Sequence, residues 1–481
     1  MINDFNIDFH CHAYLRATNC APAISAVDVW KNTQNYRGDS VTERWVGIRL
    51  SDMAKQSQSN LSQYVRSNTR IIFDSLYPLE KGWLNFRRFS SLVLSAELKR
   101  NIFRIASGIT PNRFETLMHN PSYFDELEEV YKVMLESQGL SPDTRSKVQL
   151  EAGYADVQKS LKQTKNLIVI PSIEGGHALG TADYLSVNEP LDKRKRRVAE
   201  NIRTVKNWEY PPFFIGLAHH FWNQLCGHAK SLKRPINFIV DQRIGLNQGI
   251  TELGWHVIQE LLTRKNGRRI LLCVKHMSIK SRVQYYQFVQ RNNHINQEDP
   301  IPIICSHTGV NGFSTIDRMA KYADSDRYSK FPKFNNLGIN LCAEEIRIIG
   351  DSGGIVGLIL DKVILGSASY LDAIQSETKA TKRKQMYLEL IWDTVFFIVN
   401  SVGDKTGWNV PVFSSDFDGL ISQIECYNSG SDIQELRSDM LHYLTNNSYN
   451  KNLWFGYSPE EIIYKLFCGN VMEFLSKHYR Y

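Results

Sequence analysis

The sequence lacks the features of a membrane-bound or exported protein. It contains no run of apolar residues long enough to cross a bilayer. Its N-terminus shows no basic segment followed by an apolar one, as a secretory signal would, and its last eight residues are too polar for an anchor tail. From these absences we expect a cytoplasmic protein with no membrane partner.

Cysteine is present but not in the spacing of a disulfide framework or a thiolate metal site. The eight cysteines are scattered, no two form a C-x-x-C pair, and several, such as Cys305, lie in apolar segments. This pattern is typical of buried thiols in a reducing compartment, and it directs the search for metal ligands to histidine and carboxylate.

The chain also has little net charge for its length. The chain has 57 Lys and Arg against 50 Asp and Glu, a formal charge of +7 on 481 residues. The densest basic run, Lys193 to Arg197, leads into a segment of helical pattern, which favours a solvated helix face over a phosphate-binding patch. We expect a small-molecule substrate and no nucleic-acid partner.

Eight short apolar segments are predicted to be β-strands covered on both faces. They are Asp8–His12, Thr69–Leu76, Leu167–Ile173, Phe213–Ala218, Ile270–Val274, Ile301–Cys305, Gly354–Leu360 and Val410–Ser415. Most alternate with helical patterns, and no Gly-rich phosphate turn follows any of them, which counts against a doubly wound open sheet. We predict an α/β protein, a (β/α)8 TIM barrel spanning residues 1–481, with a helical insertion at 82–163.

Ionisable residues of the metal-ligand type follow or end six of these strands. They are His10 and His12, Glu174, His219, His276, His307 and Asp416. In a β/α barrel the C-terminal strand ends converge on one mouth, where catalytic groups are mounted. We therefore expect all seven side chains in one cavity.

The first strand carries two of these histidines. Because strand side chains alternate, Asp8, His10 and His12 are predicted to share one face. Imidazoles buried without a partner cost free energy, so this pair indicates a bound metal ion. Cys11 and Lys275 are predicted to lie on the opposite strand faces from the ligands, in packing or surface roles.

Imidazole and carboxylate ligands suit Zn²⁺, with Mn²⁺, Fe²⁺ or Ni²⁺ as other candidates. Four imidazoles and a bridging carboxylate can hold two ions, an arrangement that favours hydrolysis by a bridging water that becomes hydroxide near neutral pH. Glu174 is the best candidate for the bridge, because the glycines after it allow close approach. Asp416 is then the general base and the later proton donor.

Five motifs occur in the order found in the membrane dipeptidases, the renal dipeptidase family (peptidase family M19) of the amidohydrolase superfamily. They are Ile173-Glu174-Gly175-Gly176-His177, Leu217-Ala218-His219 with Asn223 shortly after, Val274-Lys275-His276-Met277-Ser278, Ile304-Cys305-Ser306-His307 and Ser415-Asp416-Phe417-Asp418-Gly419. The chain resembles this family over nearly its whole length, apart from the insertions. The resemblance implies a metal-dependent hydrolase barrel that holds two zinc ions.

The resemblance also implies individual roles. His10 and His12 would bind one zinc ion, Glu174 would bridge, and His276 and His307 would bind the second ion. His219 would contact the substrate carbonyl or its oxyanion, with Asn223 beside it in the substrate site, and Asp416 would handle protons.

Two departures from the family concern ligands. The family usually has His-x-Asp in the first strand, whereas this chain has His10-Cys11-His12. In the family, an arginine that binds the substrate carboxylate stands just before an asparagine. That asparagine corresponds to Asn340 in this chain, but the residues before it are Gly338 and Ile339. Arg318, in the extra segment before them, is the predicted substitute.

We therefore expect hydrolysis of an amide bond in a dipeptide or similar small substrate. One alternative is an amidohydrolase acting on a cyclic amide, a lactone or an N-acyl amino acid. Another is a non-catalytic metal-containing barrel that binds a partner, although structural metal sites are usually closed and without a spare carboxylate. The sequence leaves the oligomeric state open, a homodimer included.

Overall fold

The computed structural model describes residues 5–21, 27–32, 57–84, 101, 104, 109–120, 122–142, 146–163, 166–182, 189–232, 240–325 and 333–480. Within these ranges, no helix is both long and apolar enough to span a membrane. Residues 85–100 of the predicted helical insertion lie outside the described residues.

The eight predicted strands are all present and form one parallel sheet. They are β1 (Asn6–Cys11), β2 (Thr69–Leu76), β5 (Asn166–Ile173), β6 (Phe214–Gly216), β7 (Leu271–Cys273), β8 (Ile304–Thr308), β9 (Ile355–Leu358) and β10 (Pro411–Phe413). They are hydrogen-bonded in chain order, as in a (β/α)8 barrel. The predicted fold class is confirmed.

The sheet closes between its first and last strands through backbone hydrogen bonds just past β10. The amide of Asp416 donates to the carbonyl of His10 at 2.9 Å, and the amide of His12 donates to the carbonyl of Phe417 at 3.0 Å. This seam joins two of the predicted site segments directly, so the backbone itself fixes Asp416 beside the first histidine pair.

Helices follow most strands and cover the outside of the barrel. The described α-helices are Leu15–Cys20, Leu61–Arg66, Pro111–His119, Tyr123–Glu136, Tyr154–Leu161, Leu191–Lys206, Glu252–Leu262, Ile279–Ile295, Ile316–Tyr322, Ala343–Asp351, Lys362–Leu365, Ala368–Ser376, Ala380–Val402, Ile433–Asn447, Pro459–Tyr464 and Asn470–His478. Ser278 caps the helix Ile279–Ile295, and Ser458 forms a capping box at the helix Pro459–Tyr464.

The predicted helical insertion also contains two short strands. β3 (Gly139–Leu140) pairs antiparallel with β4 (Lys147–Leu150), and β4 extends the sheet beside the first half of β5. Four residues with two buried apolar side chains, Val148 and Leu150, are too few to show an alternating pattern against the helical segments around them.

Two apolar layers hold the barrel. One fills its interior and includes the rings of Phe9 and Phe73, whose centroids are 4.5 Å apart, and reaches Phe474 on the last helix. The other lies between the sheet and the outer helices and includes Cys11 and Cys305. Membership in one layer or the other shows which way each strand residue faces.

A buried ion pair behind the barrel mouth gives the first prediction. Arg282 and Glu345 are 1% and 0% exposed, and the Nε of Arg282 lies 2.7 Å from the Oε1 of Glu345. Replacing Arg282 by methionine leaves a buried carboxylate without its cation, so we expect a loss of about 3–5 kcal/mol in the free energy of unfolding. Urea unfolding followed by circular dichroism measures this loss.

The matched control is Lys477→Met, which removes an exposed helical ion pair with Glu473. We expect that change to cost less than about 1 kcal/mol. Equal small losses in both variants would contradict a structural role for the Arg282 pair.

Candidate metal centre

A β-bulge in the first strand places both of its histidines inside the barrel. Asp8 pairs with Ile72 and Cys11 with Asp74, so three steps along β1 match two along β2. Phe9 packs in the barrel interior, and the ring of His10 stacks on that of His307 with centroids 4.1 Å apart. The extra residue lets consecutive side chains face inward, as bulges near active sites do.

The bulge corrects the prediction that Asp8 shares a face with the histidines. The Asp8 carboxylate instead faces outward with Cys11, and it accepts hydrogen bonds from Ser415 Oγ at 2.5 Å and Tyr64 OH at 3.1 Å. The prediction assumed a regular strand, and simple alternation fails where a residue is inserted. Asp8 is therefore part of the seam between β1 and the Asp416 loop.

A second bulge occurs in β8. Cys305 pairs with Val356 and Thr308 with Leu358, again three steps against two. The strand runs from Ile304 to Thr308, three residues later than predicted, so His307 lies within the strand rather than after it. Both ligand-bearing strands thus use the same device to turn a histidine toward the centre.

Two further site residues have left-handed backbone conformations. His276 has φ 66° and Asp416 has φ 59°. A non-glycine residue pays a steric cost in this region, and such residues concentrate at functional sites where surrounding structure holds them. Gly419 allows the Asp416 turn, because a Cβ at that position would lie 2.1 Å from the Asp416 carboxylate.

Glu174 is the centre of the cluster. Each of five imidazoles places its Nε2 within 3.8 Å of a Glu174 carboxylate oxygen. The distances are 3.8 Å for His10, 3.0 Å for His12, 3.6 Å for His219, 3.3 Å for His276 and 3.5 Å for His307. The structure therefore brings together the residues that the sequence placed at separate strand ends.

Asp416 faces the same imidazoles from the other side. Its Oδ1 lies 3.6 Å from Nε2 of His10 and 3.5 Å from Nε2 of His12, and its Oδ2 lies 3.9 Å from Nε2 of His307. All seven predicted residues are buried. Two carboxylates and five imidazoles thus occupy one buried pocket.

Burial and mutual contact set the protonation of these groups. Burial lowers the pKa of His10 to about 3 and, together with the charge of His219, that of His276 to about 3. Burial alone would raise the pKa of Glu174, but the charge of His219 and the close imidazoles of His12 and His276 hold it well below its usual value. His10 and His276 are thus neutral imidazoles beside an ionised carboxylate, the protonation states that a divalent cation needs. The adjacent carboxylates of Asp416 and Glu174 raise the pKa of His12 despite its burial.

Buried imidazole nitrogens without hydrogen-bond partners indicate that the cluster can bind metal ions. Both ring nitrogens of His10, Nε2 of His12 and Nδ1 of His276 are buried without a hydrogen-bond partner among the described residues. Two groups of three, His10–His12–Glu174 and Glu174–His276–His307, have ligand atoms within 4.8 Å of one another and share the glutamate. Hard and borderline ligands without thiolate suit zinc or a neighbouring divalent metal.

Outer contacts fix several of the rings. Nδ1 of His12 lies 3.1 Å from the carbonyl oxygen of Ser75, and Nδ1 of His307 lies 2.9 Å from Ser306 Oγ. These contacts leave Nε2 of each ring directed at Glu174, as second-shell partners of metal-binding histidines commonly do.

Glu80 is a site residue that the sequence reasoning missed. Its Oε2 lies 2.5 Å from Nδ1 of His219, and its Oε1 accepts the amide of Phe221 at 3.1 Å. Burial alone would raise the pKa of Glu80, but the charge of His219 lowers it to about 2. Glu80 follows β2, the one early strand for which no terminal polar residue was considered.

His220 is a second addition to the site. Its ring centroid lies 3.9 Å from that of His219, and its Nδ1 lies 2.7 Å from Ser231 Oγ. With His219 and His276 it forms a third group of three potential ligands. The only sequence signal was its position beside His219.

The mouth of the barrel opens into a cleft of about 620 Å³. Its lining includes Glu174, Asp416 and Asp361, with apolar walls that include Trp83 and Leu232. The mixture of apolar walls with charged and polar groups is typical of a small-molecule site.

Lys275 lines this cleft and is 3% exposed, which corrects the expectation of a packing or surface role on a face away from the ligands. Asn223 does not line the cleft. Its Nδ2 donates to the carbonyl of Leu217 at 2.6 Å and its Oδ1 accepts the amide of Leu225 at 3.0 Å, so it shapes the loop that carries His219.

Arg318, the predicted substitute for the family's arginine, lies on the short helix Ile316–Tyr322 and is exposed. It is not among the residues that line the cleft. Its role in binding a substrate therefore has no support from its position in the structure.

The sequence matches no protein-family model and no curated protein. The structure is similar to that of a metallopeptidase from Rhodobacter sphaeroides, which was solved with a phosphinate mimic of the dipeptide L-Ala-D-Ala. The TM-score is 0.52 at 14% sequence identity, and the match covers 98% of this chain and 99% of the other. The two chains share their fold over nearly their whole lengths.

A probable dipeptidase from Pseudomonas aeruginosa also matches, with a TM-score of 0.49, 16% identity, and coverage of 90% of this chain and 98% of that one.

Proposed function

We propose that this protein is a metal-dependent hydrolase that cleaves the amide bond of a dipeptide or a similar small substrate. The observation that carries the proposal is the buried convergence of five imidazoles on Glu174, with Asp416 opposite, at the mouth of the barrel. The shared fold with a metallopeptidase supports the same reaction class.

The proposed centre holds two divalent ions, zinc being best suited to the donor set. His10 and His12 would hold one ion, His276 and His307 the other, and Glu174 would bridge them. Two ions at such a site polarise a carbonyl and increase the acidity of a bound water. These four imidazoles and the shared carboxylate suffice to bind two ions. His219 is therefore free to contact the substrate.

His219 is placed to act on the substrate carbonyl. Burial opposes its protonation, but Glu174 and Glu80 raise its pKa, so the ring carries a proton that Nε2 can donate. A proton donated from Nε2 stabilises the oxyanion that develops on the carbonyl oxygen during attack. Its Nδ1 is fixed by Glu80, which keeps Nε2 directed toward the cluster.

Asp416 is placed to move the proton between the attacking water and the leaving amine. Burial, together with the charge of Glu174, raises the pKa of Asp416 to about 6. A carboxyl group with a pKa near neutrality can accept a proton in one step and return it in the next. Its left-handed backbone, tied to His10 by the Asp416 amide, fixes the carboxylate against the cluster.

The role of Glu80 gives the next prediction. Glu80→Gln removes the anion that raises the pKa of His219, so we expect kcat to fall about 10- to 100-fold, as for other second-shell partners. Because the pKa of His219 falls, the alkaline limb of the kcat profile should move to lower pH. The measurement is kcat from pH 5 to 10, with metal content determined on the same samples.

Glu115→Gln, on an exposed helix face, is the matched control and should leave the profile unchanged. An unaltered kcat and pH profile in the Glu80 variant would show that Glu80 does not orient His219.

A substrate panel tests the proposed function. Protein depleted by a chelator and reloaded with zinc is assayed on dipeptides, N-acyl amino acids, cyclic amides and lactones. We expect metal-dependent turnover of dipeptides. Turnover confined to the other three classes would replace the dipeptidase assignment by the wider amidohydrolase one, and no turnover of any class by the loaded protein would favour a binding barrel.

A further inference from the structure

Among the described residues that line the cleft, Lys275 is the one lysine or arginine, and the proposed reaction does not use it. It lies two residues past the end of β7, is 3% exposed, and lines the same cleft as His276 and Asp416. Its Nζ is fully buried and has no hydrogen-bond partner among the described residues. A buried ammonium without an acceptor costs several kcal/mol, so its retention needs an explanation.

The acidic groups around Lys275 are engaged elsewhere. Asp361 lines the cleft, but its Oδ1 caps the following helix by accepting the amides of Val363 at 2.8 Å and Ile364 at 3.2 Å. Asp416 faces His10 and His12. Neither carboxylate is within ion-pair distance of the Lys275 ammonium in the structure.

Other buried cations of the protein show what a structural role looks like. Arg282 is paired with Glu345 at 2.7 Å, and the Nζ of Lys206, a residue also 3% exposed, donates to the carbonyl of Thr263 at 2.6 Å. Lys275 differs from both because it has no such partner and lies at a cleft instead.

We propose that the Lys275 ammonium binds a carboxylate of the substrate, next to the amide bond that is cleaved. The acceptor that the fold does not provide would then arrive with the ligand, and the pairing in a low-dielectric pocket would be strong and selective. The other charged side chains among the described lining residues are carboxylates and imidazoles, so this one ammonium can fix the orientation of a small molecule that carries a carboxylate.

This inference rests on the proposed function and narrows its substrates to those with a free carboxylate near the scissile bond. Dipeptides and N-acyl amino acids meet that condition, whereas simple lactones do not. The lysine ammonium acts as a point charge. It therefore requires an anionic group on the substrate, but not the planar two-point geometry that an arginine guanidinium favours.

The test compares two phosphinate analogues of alanylalanine, one with a free carboxylate and one with a carboxamide in its place. Their binding to zinc-loaded wild type, Lys275→Met and Lys275→Arg is measured by calorimetry, and hydrolysis of alanylalanine and its amide is measured in parallel. We expect wild type to bind the carboxylate analogue about 10²-fold more tightly than the carboxamide, and Lys275→Met to lose that preference.

Kinetics should show the same role. In Lys275→Met the KM for alanylalanine should rise about 10²-fold with kcat changed far less, since the contact is made in the ground state as well as the transition state. Lys275→Arg should recover part of the preference. The thermal midpoint of ligand-free Lys275→Met should equal or exceed that of wild type, because the substitution removes an unpaired buried charge.

Lys206→Met is the matched control: it should lower the thermal midpoint and leave the carboxylate preference unchanged. A preference retained in Lys275→Met, or equal binding of both analogues by wild type that hydrolyses dipeptides, would overturn the inference and leave the proposed function standing. Wild type that neither binds an analogue nor hydrolyses a dipeptide would overturn both.

Discussion

Replacing Glu174 by alanine is expected to reduce kcat/KM about 10³-fold or more and to lower the metal content to one ion per chain or fewer. The carboxylate lies within 3.8 Å of five imidazoles and belongs to both of the proposed ligand groups, His10–His12–Glu174 and Glu174–His276–His307. Loss of the shared ligand removes metal-derived stabilisation worth several kcal/mol, which corresponds to about three orders of magnitude in rate.

Metal analysis and steady-state kinetics on the same preparation measure both effects. Glu298→Ala, at an exposed position, is the control and should keep full metal content and activity. A Glu174→Ala protein that retains two ions and activity within tenfold of wild type would contradict the bridging role.

Replacing Asp416 by asparagine should lower kcat by about 10²- to 10⁴-fold while both metal ions are retained. Asparagine tolerates the left-handed backbone that Asp416 adopts, and the amide that bonds to the carbonyl of His10 is unaffected. The substitution therefore removes the titrating group and leaves the seam of the barrel in place.

The matched control for Asp416→Asn is Asp418→Asn, which makes the same change two residues further along the chain. The Asp418 carboxylate accepts the amides of Gln58 at 3.1 Å and Ser59 at 2.9 Å, so it holds a loop and does not line the cleft. We expect that variant to lose stability but to keep kcat within about tenfold. Similar kcat losses in the two variants would show that the Asp416 effect is structural.

The eight strands were predictable because each is a short, strongly apolar segment. The site was predictable from the ionisable residues at the C-terminal ends of these strands. The C-terminal ends of parallel barrel strands must meet, so Glu174, His276 and Asp416 could be brought together without knowledge of any loop. The same regularity explains the failures at Asp8 and in β8. A bulge depends on pairing with a neighbouring strand, and no local pattern encodes it.

The roles of residues that do not lie at the strand ends could not be predicted from the sequence. Glu80 reaches His219 from a turn after β2, and a lone glutamate in a turn has no signature. Strand alternation predicts a packing or surface role for Lys275, but this residue lies two positions past the end of β7, where alternation no longer holds. The strands β3 and β4 were too short to show a period.

The central claim is that five side chains form a two-metal centre at the mouth of this barrel. Anomalous diffraction from crystals of the zinc-loaded protein, recorded on both sides of the zinc absorption edge, tests it most directly. We expect two peaks, one beside His10 and His12 and one beside His276 and His307, with Glu174 between them. No peak at the mouth, or a single peak on His219, His220 and His276, would contradict it.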